Sequence, residues 1–246
     1  LFRSKSEPSI ELKPSTKELT NEDVTVTLIP EDPSLTITVL NNGGSNVLKF
    51  TQNGRKYFQY KVNQEDKVYL KFVDVNNIDK QPPVMKFDKY KDMFVKVGGN
   101  IDLDEGFSIF DNVDGTITKY SIDANINLQQ AGVYYANYTF FDEAGNEVTV
   151  ERKVEVLSAL TLVINGQKGN NDLIKIDGLN IDVEIYNALG DYQIQYKEGN
   201  LNTGKFKKNK QLIRNGKASI NKGGYVTFYV QDQERNWKLV RCYIYE

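Results

Sequence analysis

The chain has 246 residues, carries a formal net charge of −2 at pH 7, and is 26% charged and 39% hydrophobic. This composition is typical of a folded, water-soluble protein, and the length suits either one large domain or two to three small ones. No stretch approaches the roughly 18 to 20 consecutive apolar residues of a transmembrane helix, so we expect no membrane insertion within this fragment.

The residue types that carry most enzyme chemistry are scarce. Histidine is absent, which excludes Ser-His-Asp triads, Cys-His pairs and histidine-ligated zinc. The only cysteine, Cys242, alternates with Val240 and Ile244 in LVRCYIY, and this pattern predicts a small buried side chain. One thiol cannot form an internal disulfide, so we expect packing alone to hold the fold together.

The first strand signals are two alternating runs, VTVTL at 24–28 and LTITVL at 35–40, and a strand-turn-strand pattern follows at 53–75. Short strands at this spacing predict an antiparallel β-sandwich with one face of each sheet buried. We place this unit at 1–79. Its exit, VNNIDKQPP, ends in Pro82 and Pro83, which cannot donate ladder hydrogen bonds, so a short, stiff linker is expected there.

The second predicted unit, 80–157, contains the stretch DNVDG at 111–115. We interpret it as a corner, because Asp and Asn side chains accept hydrogen bonds from nearby backbone amides and Gly115 can adopt a positive φ. Calcium is the alternative, since that ion requires a cluster of oxygen ligands. Val113 stands where an EF-hand needs a third-position oxygen, which excludes that motif. The candidate calcium ligands are Asp102, Asp104, Asp111 and Asp114.

The last hairpin of this unit recurs 90 residues later: YYANYTFFDEAGNEVTVERKVEV begins at Tyr134 and GYVTFYVQDQERNWKLVRCYIYE at Gly224. Asp142 and Asn146 of the first copy align with Asp232 and Asn236 of the second. In DEAGN we expect the glycine to supply the unusual backbone angle of the connection. A weaker third copy lies at 53–75. The repeat predicts a third sandwich at 158–246.

The final hairpin has two apolar faces, although a sandwich buries only one. The inward face is predicted to carry Val226, Phe228, Val230, Val240, Cys242 and Ile244. The other face carries Leu239 and the candidate binding residues Tyr225, Tyr229, Trp237, Tyr243 and Tyr245. Either a neighbouring domain or a loop such as 198–217 covers this second face, or it is a docking surface for a protein or for sugar rings.

A basic run, KFKKNKQLIRNGK, precedes that hairpin. A solvated loop is one interpretation of it. The other is contact with an anionic polymer, such as a wall teichoic acid or an acidic glycan, with Lys207, Lys208 and Lys210 as the candidates. Nucleic acid is not expected as a partner, because the chain as a whole is mildly acidic.

The middle unit resembles the bacterial immunoglobulin-like repeats of cell-surface and secreted proteins. The resemblance rests on Pro82-Pro83, on DEGFSIFDNVDGTIT from Asp104 and on AGVYYANYTFFDEAGNEVTVERKVEV from Ala131, and so covers nearly all of 80–157. TKELTNEDVTVTL and NNIDKQPP in the first unit are similar to related repeats, and the third unit keeps only its last hairpin. The resemblance implies immunoglobulin-like sandwiches, a role as spacer, stalk or adhesive module, and no catalytic residue.

Together these observations predict an all-β, tandem array of three immunoglobulin-like β-sandwich domains, extracellular on a bacterial surface or secreted, without enzyme activity or a required cofactor. We expect it to serve as a stalk and as an adhesin that binds a glycan or a host or cell-surface protein. The alternatives are a carbohydrate-binding or spacer region of a secreted glycan-active enzyme and a bacteriophage fibre or decoration protein. The chain begins at LFRSKSEPS without an initiator methionine, so we interpret it as a piece of a longer protein. The oligomeric state stays open.

Overall fold

The computed structural model describes residues 8–169, 173–206, 212–213 and 215–245. Over these residues the chain consists of β-strands joined by turns, with short 3-10 segments at Asn42–Gly44 and Thr203–Phe206. None of the helical segments in the described part of the chain has the length and apolar character needed to cross a membrane. The predicted all-β class is confirmed.

The first sandwich consists of two three-stranded sheets, ordered β1-β2-β4 and β3-β5-β6. Its strands are β1 Ile10–Pro14, β2 Val24–Pro30, β3 Ile37–Val39, β4 Val47–Phe50, β5 Gly54–Val62 and β6 Tyr69–Val75. In β2 every second residue is buried, as the alternation of VTVTL predicts. The inward rows of both sheets meet in one buried cluster that includes Val24, Phe50, Phe58 and Val73.

The middle sandwich has a three-stranded sheet, β10-β9-β7, and a four-stranded sheet, β11-β12-β13-β8. Its strands are β7 Val84–Phe87, β8 Met93–Lys96, β9 Phe107–Asp111, β10 Gly115–Thr116, β11 Tyr120–Ala124, β12 Gly132–Phe141 and β13 Glu147–Leu157. Val95, Val154 and Val156 form a buried cluster at one end of this sandwich. Phe107 packs edge-on against the fully buried Tyr138, with 5.2 Å between the ring centroids.

The third sandwich has two four-stranded sheets, β15-β14-β17-β19 and β16-β21-β20-β18. Its strands are β14 Thr161–Ile164, β15 Gln167–Lys168, β16 Ile174–Asp177, β17 Asn180–Tyr186, β18 Tyr192–Glu198, β19 Lys217–Ser219, β20 Gly224–Asp232 and β21 Trp237–Tyr245. Both sheets contribute to one buried cluster, to which Leu162, Ile181, Phe228 and Val240 belong. Three sandwiches therefore follow one another along the chain, as predicted.

The three sandwiches share one uncommon pairing between their entry and their exit. In the middle one β13 runs parallel to β8, with Val154 opposite Met93. In the third one β21 runs parallel to β16, with Cys242 opposite Ile174. The first has a single parallel bridge, between Thr20 and Ile78. Because most neighbouring strands here are antiparallel, a parallel partner for the exit segment marks the three stretches as variants of one topology.

The two predicted turns, DNVDG and DEAGN, have the local geometry expected of corners. Asp111 Oδ1 accepts hydrogen bonds from the backbone N–H groups of Val113 (2.7 Å) and Asp114 (3.0 Å), and Gly115 has a φ of 74°. In DEAGN, Asp142 Oδ1 accepts a hydrogen bond from the N–H of Asn146 (2.7 Å), and Gly145 has a φ of 90°. The backbone geometry therefore supports the interpretation of DNVDG as a corner.

Contacts divide the described chain into two compact units. The first comprises the described residues up to Val84 together with Ile109–Tyr120 and Phe140–Val148. The second comprises Met85–Ser108, Ser121–Thr139 and the described residues from Thr149 onward. The domain boundaries at 79/80 and 157/158 remain predictions from the sequence.

Candidate functional site

The final hairpin of the third sandwich positions its side chains by strict alternation. Its register places Val226 opposite Cys242 and Phe228 opposite Val240, and all four side chains are buried, as predicted. The neighbouring positions point to the other side of the same sheet. We call this side the outer face; the residues of β20 and β21 on it are Tyr225, Thr227, Tyr229, Gln231, Trp237, Leu239, Arg241, Tyr243 and Tyr245.

Aromatic side chains form two groups on the outer face. At one end the ring of Tyr243 lies 4.9 Å from that of Tyr225 and 4.9 Å from that of Tyr245, both edge-on. At the other end Tyr229 stacks 6.4 Å from Trp237, with 24° between the ring planes. The structure thus brings together all five aromatic residues selected from the sequence, but in two separate groups.

A loop crosses the outer face between these groups. Thr227 is fully buried there; its hydroxyl donates to the carbonyl of Gly199 (2.6 Å) and accepts from the N–H of Leu201 (3.0 Å). Opposite Thr227 in the hairpin, Arg241 donates through Nε to the carbonyl of Leu201 (3.2 Å). The described part of the predicted covering loop therefore covers the centre of the face, whereas Tyr225, Trp237 and Tyr245 remain exposed.

The same loop supplies an aromatic residue that sequence reasoning missed. Phe206 is only 3% exposed and stacks on Tyr229, with 5.2 Å between ring centroids and 18° between ring planes. Burial raises the pKa of the Tyr229 hydroxyl above its ordinary value. Beside this stack Trp237 remains 56% exposed. The result is an aromatic platform of three neighbouring rings, of which that of Trp237 faces solvent.

A pocket of about 330 Å³ lies beside this platform. It is lined by Gln193, Gln195, Thr203, Phe206, Tyr229, Gln231 and Trp237. The strand pairing explains why the glutamines gather there, because Gln195 lies opposite Tyr229 and Gln193 opposite Gln231. The sequence YQIQYKE of β18 could have predicted this position, because Gln193 and Gln195 alternate with Ile194 and Tyr196 and so lie on the opposite face of the strand.

The side-chain oxygen of Gln195 lacks a hydrogen-bond partner among the described residues. Gln195 is 5% exposed, and its side-chain Oε1 is buried without a hydrogen-bond partner among the described residues. Buried polar atoms are nearly always hydrogen-bonded in native proteins, so this unpaired acceptor is an uncommon feature of the pocket wall. A second opening of about 560 Å³ is also lined by Gln193, Gln195 and Gln231. Its lining includes Tyr192, which is 51% exposed. The lining of this second opening also includes Gln233 and two carboxylates, Asp191 and Asp232.

The other candidates from the sequence are three lysines and four aspartates. Lys207, Lys208 and Lys210 are outside the described residues. Asp102 and Asp104 are exposed on a turn, where Asp102 Oδ1 accepts from the N–H of Asp104 (2.9 Å). Asp114 is half-buried, and its Oδ2 accepts from the N–H of Glu143 (2.6 Å). Asp111 lies in a buried group with two other carboxylates, Asp79 and Asp142.

The family comparison concerns the middle of the chain. Residues 85–156 match the model of the family described as bacterial surface protein, Ig-like domain. The predicted resemblance is confirmed there. It rests on the stretch that contains both DNVDG and DEAGN. The comparison with curated proteins gives no match.

Several solved structures match this chain at low sequence identity. The three N-terminal domains of the bacteriophage RB49 highly immunogenic outer capsid protein (Hoc) are 10% identical, covering 96% of this chain and 98% of that one at a TM-score of 0.32. Invasin, a bacterial integrin-binding protein, is 12% identical, with coverages of 97% and 60% and a TM-score of 0.24. SGBP-B of a Bacteroides ovatus mixed-linkage glucan utilization locus, in complex with a heptasaccharide, is 11% identical, with coverages of 98% and 70% and a TM-score of 0.25. Likenesses at these TM-scores carry no functional assignment.

Proposed function

We propose that this chain is a non-catalytic module of a bacterial surface protein and that its third sandwich binds a glycan on the outer face. The observation that carries the proposal is the exposed Trp237 ring, fixed by the Tyr229 and Phe206 stack at the rim of a glutamine-lined pocket. The match of 85–156 to the bacterial surface family supports the location.

The chemistry of the pocket suits a saccharide. One face of a sugar ring is apolar and stacks on an exposed aromatic ring, while its edge carries hydroxyl groups that donate and accept hydrogen bonds. The side-chain amides of Gln193, Gln195 and Gln231 contain both donor and acceptor groups. Because the platform is already held by buried contacts, a ligand would not have to order it, which lowers the entropic cost of binding.

The residues that line this pocket favour binding over hydrolysis. Glycoside hydrolysis usually depends on two carboxyl groups placed on either side of the scissile bond. The described lining of the pocket is made of glutamine, threonine and aromatic residues. Neutral amides orient a sugar without protonating its leaving group, so the arrangement supports an adhesive or carbohydrate-capturing role.

A protein partner is the competing occupant of the same face. A stable protein interface buries about 800 Å² on each partner, and the loop through Gly199 and Leu201 divides the outer face into two smaller openings. The division favours a ligand that fits one end of the face. Binding to a host protein but to no glycan would replace the proposal by this alternative.

The test is a glycan array probed with the intact chain and with two variants. Trp237→Ala removes the exposed ring of the platform. Phe72→Ala is the matched control, because Phe72 is also 56% exposed but lies on β6 of the first sandwich. We expect binding of the wild type to fall at least tenfold in the first variant and to persist in the second. No array binding, or equal binding by all three proteins, would overturn the proposal.

A further inference from the structure

Three buried carboxylates meet at the DNVDG corner. Asp79, Asp111 and Asp142 are 4%, 2% and 4% exposed. One carboxylate oxygen from each lies within 4.8 Å of one from each of the others. Carboxylates are rarely this buried unless they are paired with a cation or coordinate a metal.

The chain brings these carboxylates together by extending its inward-facing rows. On β9 the buried Ile109 is followed two residues later by Asp111, and the buried Phe140 of β12 is followed two residues later by Asp142, directly after the strand ends. Two-residue spacing keeps each carboxylate on the core side of its strand. Asp79 enters from the segment that leaves the first sandwich, where its N–H donates to the carbonyl of Thr20 (2.9 Å).

Only part of the hydrogen-bonding capacity of these groups is used. Asp79 Oδ1 accepts from the N–H of Gln81 (3.0 Å), and Asp111 Oδ1 accepts from the two amides of its corner. Asp142 receives both a backbone and a side-chain hydrogen bond from Asn146, each at 2.7 Å. Oδ2 of Asp79 and Oδ2 of Asp111 are buried without any hydrogen-bond partner among the described residues.

No basic side chain among the described residues neutralises the group. The ion pairs of the described chain do not include Asp79, Asp111 or Asp142, and the adjacent Lys80 is paired with Asp23. Like charges at this separation repel strongly where water is excluded. Two unpartnered oxygens and an uncompensated charge therefore point to the same missing component, a cation.

We propose that Asp79, Asp111 and Asp142 bind one hard divalent cation, with calcium as the principal candidate. Carboxylate oxygens are the ligands that calcium and magnesium prefer, whereas zinc and copper favour the nitrogen and sulfur donors of histidine and cysteine. The chain has no histidine, and its only cysteine lies in the core of the third sandwich. Water molecules would complete the coordination shell.

Such an ion joins three segments that are distant in sequence. It ties the segment leaving the first sandwich, at Asp79, to the DNVDG corner and to the DEAGN turn of the middle sandwich. Asn146 already links two of these segments, because its side-chain Nδ2 also donates to the carbonyl of Asp79 (3.1 Å). Since an ion that binds only the folded chain stabilises it by mass action, the bound state will resist unfolding more than the stripped one.

The test begins with the full chain stripped by EDTA. Calorimetric titration with CaCl2, and separately with MgCl2, will give saturable binding of one ion per chain for at least one of the two. The thermal midpoint of the same protein will rise in the presence of that ion. The two titrations identify the ion. Absence of both heat and thermal shift with either salt at millimolar concentration would overturn the proposal.

Asn substitutions make the test specific to the site. Asp111→Asn keeps an oxygen for the corner hydrogen bonds and replaces the unpartnered Oδ2 by a donor; Asp79→Asn does the same at the second position. Both variants will bind the ion at least tenfold more weakly and lose the ion-dependent thermal shift, yet unfold in EDTA at or above the wild-type midpoint because repulsion is relieved.

The matched control is Asp102→Asn, at an exposed carboxylate that also accepts a backbone hydrogen bond. It will retain both the affinity and the thermal shift. Wild-type affinity in both Asp111→Asn and Asp79→Asn would contradict the proposed site. If one variant does not fold, the other carries the same comparison. The result is independent of the glycan proposal, since only ions are used as probes.

Discussion

The ring of Phe206 stacks 5.2 Å from that of Tyr229, and this contact adds to the hydrogen bonds of Thr227 and Arg241 that hold the loop after β18 against the outer face of the third sandwich. Phe206 is buried on the outer side of the sheet, whereas the inner side is filled by the core. The stack therefore links the stability of the loop to the shape of the proposed glycan-binding pocket, which both residues line.

Removal of the Phe206 ring will therefore weaken both the loop and the pocket. Truncation of a buried phenylalanine typically lowers the free energy of unfolding by about 3 kcal/mol. We expect a loss of that order for Phe206→Ala in urea denaturation, with weaker glycan binding. Phe206→Leu, which retains an apolar side chain, will lose less stability. An unfolding free energy within about 0.5 kcal/mol of wild type for Phe206→Ala would contradict the packing role.

The repeated turn predicts a stabilising substitution. Asp142 accepts a hydrogen bond from the N–H of Asn146 at 2.7 Å, and Asp232 accepts the equivalent bond from Asn236 at 2.8 Å. Gly145 has a φ of 90° in the first turn, but Arg235 occupies the same position in the second with a φ of 67°. A left-handed conformation is unfavourable by roughly 1 to 2 kcal/mol for a residue with a Cβ atom.

Arg235→Gly will therefore raise the free energy of unfolding of the third sandwich, by about 1 kcal/mol. The reciprocal variant, Gly145→Ala, will lower the stability by a similar amount. A Cβ atom added there has ordinary space, with its nearest neighbour 3.8 Å away, so the effect will report on φ alone. Chemical denaturation measures both. A destabilised Arg235→Gly chain would show that the arginine side chain makes a compensating contact.

The carboxylate of Asp232 predicts a pH dependence. Burial by itself would raise its pKa, but hydrogen bonds from the Asn236 side chain and from the backbone N–H of Leu189 outweigh burial and hold the pKa below the ordinary value of 3.8. A pKa that is lower in the folded chain than in the unfolded one contributes stability above the unfolded value. That contribution is lost as the pH falls through the folded value.

We therefore expect the unfolding free energy of the third sandwich to fall below about pH 4. Asp232→Asn will reduce this dependence and will also weaken the turn at all pH values. Asp177→Asn, at an exposed position on the same sandwich, is the control. If the unfolding free energy of the wild type and of both variants fell equally with pH, groups other than Asp232 would be responsible for the pH dependence.

Cys242 offers a direct probe of the third core. Its side chain is fully buried, and burial raises the pKa of its thiol to about 12. The reactive thiolate is therefore scarce at neutral pH, and the reagent has no access. We expect negligible labelling of the native chain by a thiol reagent at pH 8 and rapid labelling in denaturant. Cys242 is the only cysteine, so any labelling reports on this residue alone. Rapid labelling of the native chain would show that Cys242 does not lie in the core of the third sandwich.

The sequence predicted those features that depend on local periodicity. Two-residue alternation was sufficient to assign Val226, Phe228 and Cys242 to the core and Tyr229 to the opposite face. The DNVDG corner was also predictable, because the hydrogen bonds of Asp111 join residues that are close in sequence.

Features that depend on the path of loops between distant segments were not predicted. Phe206 stacks on Tyr229 only because the chain after β18 turns back across the sheet. Asp79 joins Asp111 because the exit of the first sandwich lies beside a corner of the middle one, whereas Asp102 is closer in sequence and yet exposed. Neighbouring positions in the sequence were therefore a poor guide to which carboxylates meet.

The fluorescence of Trp237 tests the proposed glycan site most directly, because it is the only tryptophan and is 56% exposed at the platform. The chain is titrated with a panel of plant, host and bacterial-wall oligosaccharides while tryptophan emission is recorded. We expect a saturable blue shift with at least one of them, because a stacked sugar excludes water from the indole ring, and we expect Tyr229→Ala to lose that shift. Unchanged emission across the whole panel, or a shift that persists unaltered in Tyr229→Ala, would contradict the proposed glycan site.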